Sequence, residues 1–123
     1  MLINKYSVKT PTLETPIKNL SGGNIQKLIL ARELSREPKI LIAAQPTRGV
    51  DIGATEYIHQ RLLEQRQAGI AILLISEDLD EIQELSDRIA VMFEGRIVGL
   101  VNRGEATPED LGLLMAGVVK ERP

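Results

Sequence analysis

The chain has 123 residues, room for one domain, and its 43% hydrophobic and 26% charged composition is globular and excludes a disordered chain. Fifteen basic against seventeen acidic residues leave a net charge of −2, which excludes a generally basic nucleic-acid binder. Cysteine is absent, which removes disulfide frameworks, thiolate zinc sites and cysteine nucleophiles, and with 2% aromatics any core is aliphatic.

Residues 1–19 carry Pro11 and Pro16, sustain no period, and read as a short helical or extended lead-in followed by loop. No apolar core of signal-peptide length follows Met1. A helix is expected after Ser21-Gly22-Gly23, running to about Arg36 and stopped by Pro38. Its apolar residues Ile25, Leu28, Ile29, Leu30, Ala31 and Leu34 cover more than one face, so a mostly buried helix is predicted. Ile40–Ala44, set between Pro38 and Pro46, reads as a buried strand.

Asp51 offers a cap for a helix over about residues 53–68, with Ala54, Tyr57, Ile58 and Leu62 forming one stripe. His59, the single histidine, falls on the polar side of that helix and is expected to be solvated. Ile70–Ile75 is the longest apolar run, too short to span a membrane and patterned like a parallel strand covered on both faces. Two strands joined by a helix predict a βαβ unit. A short acidic helix over about 78–85 leads to a strand at Arg88–Phe93, a tight turn at Glu94-Gly95 and a returning strand at Arg96–Val101. Thr107-Pro108-Glu109-Asp110 predicts a capped helix running to about Ala116.

Leu20-Ser21-Gly22-Gly23-Asn24 sits at a loop-to-helix junction. Two glycines permit close backbone approach, and the first amides of the helix point outward at the positive end of its dipole. Ser21 adds a hydroxyl that can donate to an anion or cap the helix. This is phosphate-binding geometry, but the same residues also make an ordinary flexible N-cap. Among the acidic residues, Glu77, Asp78, Asp80, Glu81, Glu84 and Asp87 lack the glycine and alternating ligands of a calcium loop and suit a helix N-terminus.

An ordered series follows the glycines: Gln26-Lys27, Ala31-Arg32-Glu33-Leu34, Pro38-Lys39 leading into the apolar strand, and Gln45-Pro46-Thr47-Arg48-Gly49-Val50-Asp51. The stretch from about residue 18 to 98 resembles the second half of an ABC transporter ATPase domain. Leu20–Asn24 is similar to the signature motif, Ile40–Ala44 to the Walker B strand, and Gly49-Val50-Asp51 to the D-loop, while Ser76-Glu77-Asp78 stands at the switch-histidine region. Asp87–Val91 and Glu94–Val98 resemble the family's closing strands. Asn24 and the Thr47-Arg48-Gly49 form are similar to the tandem ATPase subunits of simple-sugar and nucleoside importers, specifically their second nucleotide-binding domain.

The resemblance implies an α/β fold: the C-terminal portion of a P-loop NTPase domain with a partly parallel sheet, a signature helix and a terminal hairpin. It divides the chain into residues 1–36 (end of the helical subdomain), 37–101 (the Walker B, D-loop and switch core) and 102–123 (a C-terminal extension). No G-x-x-x-x-G-K-[ST] loop occurs, so the chain is expected to be part of a longer polypeptide whose Walker A half lies upstream. The catalytic positions implied by the family are also altered. Ala44 stands where an aspartate would orient Mg²⁺ and supplies no oxygen. Gln45 stands where a glutamate would activate water, and losing a general base typically costs about 10²–10⁴-fold. Glu77 stands at the switch-histidine position, where its charge repels a phosphate by about 4 kcal/mol at roughly 4 Å and an effective dielectric near 20.

ABC domains dimerise head to tail, so the resemblance implies a role in trans. Ser21, Gly22, Gly23 and Asn24 would contact ATP, with its Mg²⁺, held mainly by a partner ATPase domain, and Asp51 would link the two sites. The expected function is that of an ATP-binding portion of a sugar or nucleoside importer, peripheral on the cytoplasmic face of the membrane with transmembrane permease subunits. This portion itself would not hydrolyse ATP. Alternatives are a non-catalytic regulatory or dimerisation module, or an ABC-type ATPase of DNA repair or translation, which the near-neutral charge disfavours. Apolar surface left uncovered on such a portion would drive self-association.

Overall fold

The computed structural model describes residues 22–118. Residues 1–21 fall outside that range, and with them the expected lead-in, Leu20 and Ser21. The chain divides after Ile75 into two compact units.

In the first unit, α1 (Gly22–Leu34) begins two residues before the expected start after Gly23, taking both glycines into its first turn. It stops at Leu34 rather than Arg36, because Glu37 turns into the left-handed region at φ 50° while its amide closes onto the Leu34 carbonyl at 3.0 Å. The helix is not buried on several faces as expected. Gly23, Lys27, Ala31 and Leu34 form the buried stripe, and Ile29 is exposed. Spacings of four, four and three place these residues along one side of a helix with 3.6 residues per turn, so one packing partner buries only that side.

The chain then forms β1 (Ile40–Ala44), α2 (Ile52–Gln67) and β2 (Ala71–Ile75). The strands pair in parallel from Ile40↔Ala71 to Ala44↔Ile75, giving the predicted βαβ unit. Ala54, Ile58 and Leu62 of the predicted stripe are buried in α2, which packs against α1 and β2. His59 corrects the sequence reading: it is only 9% exposed. At about 100° per residue it lies about 60° from Leu62, on the flank of the buried stripe rather than opposite it.

The strands also depart from expectation, since each is covered on one face only. Ile40 is 68% exposed, Ile42 65%, Leu73 55% and Ile75 48%, whereas Leu41 is buried. With period two and this register, Ile40, Ile42, Ala44, Ala71, Leu73 and Ile75 share one face, and helix packing serves the other. The apolar run signals two-sided burial, but only two strands and one covering layer are present among the described residues of this unit.

The second unit contains α3 (Leu79–Leu85), β3 (Arg88–Phe93), β4 (Arg96–Asn102) and α4 (Pro108–Met115), close to the predicted spans. Asp78 caps α3, its Oδ1 accepting from the amides of Asp80 at 3.0 Å and Glu81 at 3.3 Å. The antiparallel β3–β4 pair turns at Glu94 and Gly95, both with positive φ (48° and 77°), as a two-residue type I′ hairpin requires. Thr107 closes a full capping box with Asp110 and places Pro108 at the first helical position. Ile89, Val91 and Leu111 form the core here, flanked by Leu79, Ile82, Val98, Val101 and Leu114. The parallel and antiparallel pairs form separate two-stranded sheets.

Candidate functional site

The first turn of α1 and the loop from β1 to α2 meet within the first unit. A Cβ built on Gly22 would lie 3.3 Å from the Gly49 carbonyl, and one on Gly23 would lie 2.7 Å from the Ala54 Cβ. The Gly23 position also approaches Val50 Cβ at 3.9 Å and Asp51 Oδ2 at 4.0 Å. Glycine at 23 is therefore demanded by helix contact: no side chain fits between α1 and the start of α2. Gly22 is exposed and Gly23 is buried, so the two glycines differ in what they present to a ligand. The leading amides of a helix have no intrahelical acceptor, and those at the exposed Gly22 end suit an anion. No acidic residue stands in the first turn of α1 to oppose one.

The loop leaving β1 is held by backbone bonds. The Gln45 amide donates to the Ile75 carbonyl at 2.7 Å, extending the parallel ladder by one residue. Arg48 then donates to the Gln45 carbonyl at 3.2 Å, and Val50 to that of Thr47 at 3.3 Å. Gln45 itself sits in the left-handed region at φ 48°, a conformation that costs a non-glycine residue on the order of 1–3 kcal/mol and gathers at functional sites. Gly49 supplies a second left-handed position at φ 73°. Asp51 caps α2, its Oδ1 accepting from the Ala54 amide at 2.7 Å, while its carbonyl accepts from Thr55 at 2.9 Å. The same Ala54 that blocks a side chain at position 23 thus receives the Asp51 cap.

Of the residues singled out in the sequence, Gly22, Gly23 and Asp51 come together, and Asn24 follows in the same helical turn, partly buried. Ala44 and Gln45 stand at the C-terminal end of β1 in the same unit. Glu77 is exposed in the second unit. Arg48 is exposed on the loop.

A feature outside the sequence reading lies between α1 and α2. Lys27, only 8% exposed, places its Nζ 4.7 Å from the centre of the Tyr57 ring, and the Arg61 guanidinium sits 5.1 Å from it. Cations over an aromatic face are attracted by its quadrupole. The ring gives the buried Lys27 ammonium one favourable contact within the α1 stripe. In a sequence with 2% aromatics, Tyr57 at helical spacing within the α2 stripe was the one available signal.

A divalent ion does not fit the described residues. Ala44 brings a methyl group to the strand end, and among the described residues no group of three or more His, Asp or Glu is placed to hold a metal. No metal-dependent step is assigned to this chain.

The chain is 60% identical over 116 residues to the guanosine import ATP-binding protein NupO of Bacillus subtilis (strain 168), a match covering 94% of the chain and 23% of that relative. It is 51% identical over 116 residues to the ribose import ATP-binding protein RbsA of Clostridium perfringens (strain 13 / Type A), with 94% and 23% covered. It thus spans about a quarter of the length of these curated relatives. A solved dimeric ATP-binding cassette in a post-hydrolysis state, bound to ADP and phosphate, superposes with a TM-score of 0.72 at 22% identity, over 82% of this chain and 44% of the cassette. No protein-family model matches the chain.

Proposed function

Because this chain matches the C-terminal part of an ABC ATPase domain, we propose that it belongs to the second nucleotide-binding domain of a sugar or nucleoside importer's ATP-binding subunit and serves a nucleotide held by a partner domain. The observation that carries this reading is the exposed Gly22 at the acid-free head of α1, beside the Asp51 cap, set against a β1 end that offers Ala44 and Gln45. The phosphate-accepting edge is kept while the metal-orienting and proton-accepting side chains are gone.

In this reading the partner's Mg-ATP supplies the phosphoanhydride to be cleaved. Ser21 and the amides at Gly22 and Gly23 hold its terminal phosphate, the positive end of the α1 dipole favouring negative charge there. Asn24 completes the turn. Asp51, at the head of α2, carries the state of that site toward the domain's own degenerate one. Gln45, an amide, positions water at most and accepts no proton. The chain alone does not turn over ATP. The three-part division at residues 36/37 and 101/102 belongs to the same reading, as do permease subunits and a peripheral place at the cytoplasmic face of the membrane. No helix among the described residues is long and apolar enough to cross a membrane.

Two measurements test this. Ser21→Arg in the assembled transporter places a bulky side chain at the phosphate edge and is expected to abolish most ATP turnover; unchanged turnover refutes the role in trans. Calorimetric titration of Mg-ATP into the purified chain is expected to show no binding at millimolar nucleotide. Micromolar binding would mean that a complete site exists within the chain.

A further inference from the structure

We propose that Gly23 is a positioning residue: its bare α-carbon seats the first turn of α1 on Ala54, so that the phosphate-facing turn and the Asp51 cap are fixed to each other. This inference rests on the reading above that the α1 N-terminus faces a phosphate, and it assigns Gly23 a task distinct from touching that phosphate.

Three observations converge on it. A Cβ at position 23 would stand 2.7 Å from the Ala54 Cβ, a separation that real Cβ atoms do not adopt. The obstacle is a β-carbon fixed by the α2 backbone, not the far end of a side chain that can swing away. Ala54 is buried, and its amide is the donor that Asp51 Oδ1 captures at 2.7 Å. Any displacement that makes room for a side chain at 23 must therefore move Ala54 or the α1 turn. Moving Ala54 disturbs the Asp51 cap, and moving the turn shifts Gly22 from the Gly49 carbonyl, near which it now lies. Intrinsic preference works in the opposite sense, because alanine is the better helix former by up to about 1 kcal/mol. The sign of the Gly23→Ala effect thus separates contact from propensity.

The test is a compensating pair, since Ala54→Gly removes the obstructing atom. In the full chain, the Ala54 amide (residue 54 in every variant) reports the cap by its NMR shift and hydrogen exchange. Gly23→Ala is expected to speed that exchange by about tenfold or more and to shift the amide, and Gly23→Ala/Ala54→Gly to restore both. If Gly23→Ala does not fold, recovery of a folded chain in the pair supports the proposal. Failure of the pair, when Ala54→Gly alone folds, overturns it. Slower exchange in Gly23→Ala also overturns it, because propensity would then outweigh contact.

In the assembled transporter, Gly23→Ala is expected to lower kcat for ATP with a smaller change in KM, and the pair to recover kcat. A lost cap signal with unaltered kcat overturns the positioning role. The two readings fail separately: Ser21→Arg without effect removes the phosphate reading, whereas Ser21→Arg with effect but no rescue by Ala54→Gly removes only this one.

Discussion

Asp51 caps α2, and in the proposed reading it also links the two nucleotide sites; substitution can separate the two. Its Oδ1 accepts from the Ala54 amide at 2.7 Å and caps the 16-residue helix α2. Alanine at a capping position costs about 0.5–2 kcal/mol, typically near 1, whereas asparagine caps about as well as aspartate because its carbonyl oxygen accepts the same bond. Asparagine loses only the negative charge near the helix N-terminus, an interaction of about 0.3–1 kcal/mol that salt screens. About 1 kcal/mol moves the melting temperature of a domain of 60–100 residues by roughly 4–8 °C. Asp51→Ala should therefore melt several degrees below the parent chain by far-UV circular dichroism at 222 nm, and Asp51→Asn should fall between the two, closer to the parent. Equal losses for both would show that charge, not the cap, carries the stability. No loss for alanine would remove the cap altogether. In the assembled transporter, a drop in ATP turnover for Asp51→Asn is expected despite its retained fold, and it would isolate the charge as what links the sites.

Two further outcomes are expected. Leu111 is 1% exposed in the core of the second unit, and its truncation to alanine should cost about 2–5 kcal/mol; a loss below about 1 kcal/mol by denaturant unfolding would mean that this core collapses around the cavity. Ile42 and Leu73 are register partners on the open face of the parallel pair, so the isolated chain should self-associate, and Ile42→Lys/Leu73→Lys should shift it toward monomer. A strictly monomeric parent chain by sedimentation equilibrium at high concentration would refute this.

The elements that local chemistry fixes were legible in the sequence. Thr107-Pro108-Glu109-Asp110 contains every part of a capping box, Glu94-Gly95 suits a two-residue turn, and Asp51 precedes a clean stripe. What escaped depends on neighbours. Burial of Ile40 and Ile42 requires a second covering layer, and an apolar run cannot say whether one is supplied. His59 lies on the flank of a stripe, where the outcome turns on how far the neighbouring elements reach around α2. Nothing in the sequence signals the burial of Lys27, which depends on Tyr57 and Arg61 being brought to it by the α1–α2 contact. Gln45 gives no warning of its left-handed backbone, since it is neither glycine nor one of the short polar residues that favour that region.

The candidate site was legible in its parts, but not in what constrains each glycine. Ser21-Gly22-Gly23 reads as either a close approach for a phosphate or an ordinary N-cap, and the structure gives the two glycines different constraints. Gly23 is required by Ala54 whether or not a nucleotide ever approaches, so its presence carries no weight as evidence for phosphate binding. Gly22 is exposed, and a Cβ there would meet the Gly49 backbone carbonyl at 3.3 Å, a contact that a side chain could keep only if that carbonyl gave by a few tenths of an ångström. The case for a ligand therefore rests on Ser21 and Gly22, and the case for transmission rests on Gly23, Ala54 and Asp51. Packing on Ala54 is enough to retain Gly23, so in the proposed reading the glycine at 23 is compatible with Ala44 and Gln45 at the end of β1, and the phosphate role is decided at Ser21 and Gly22.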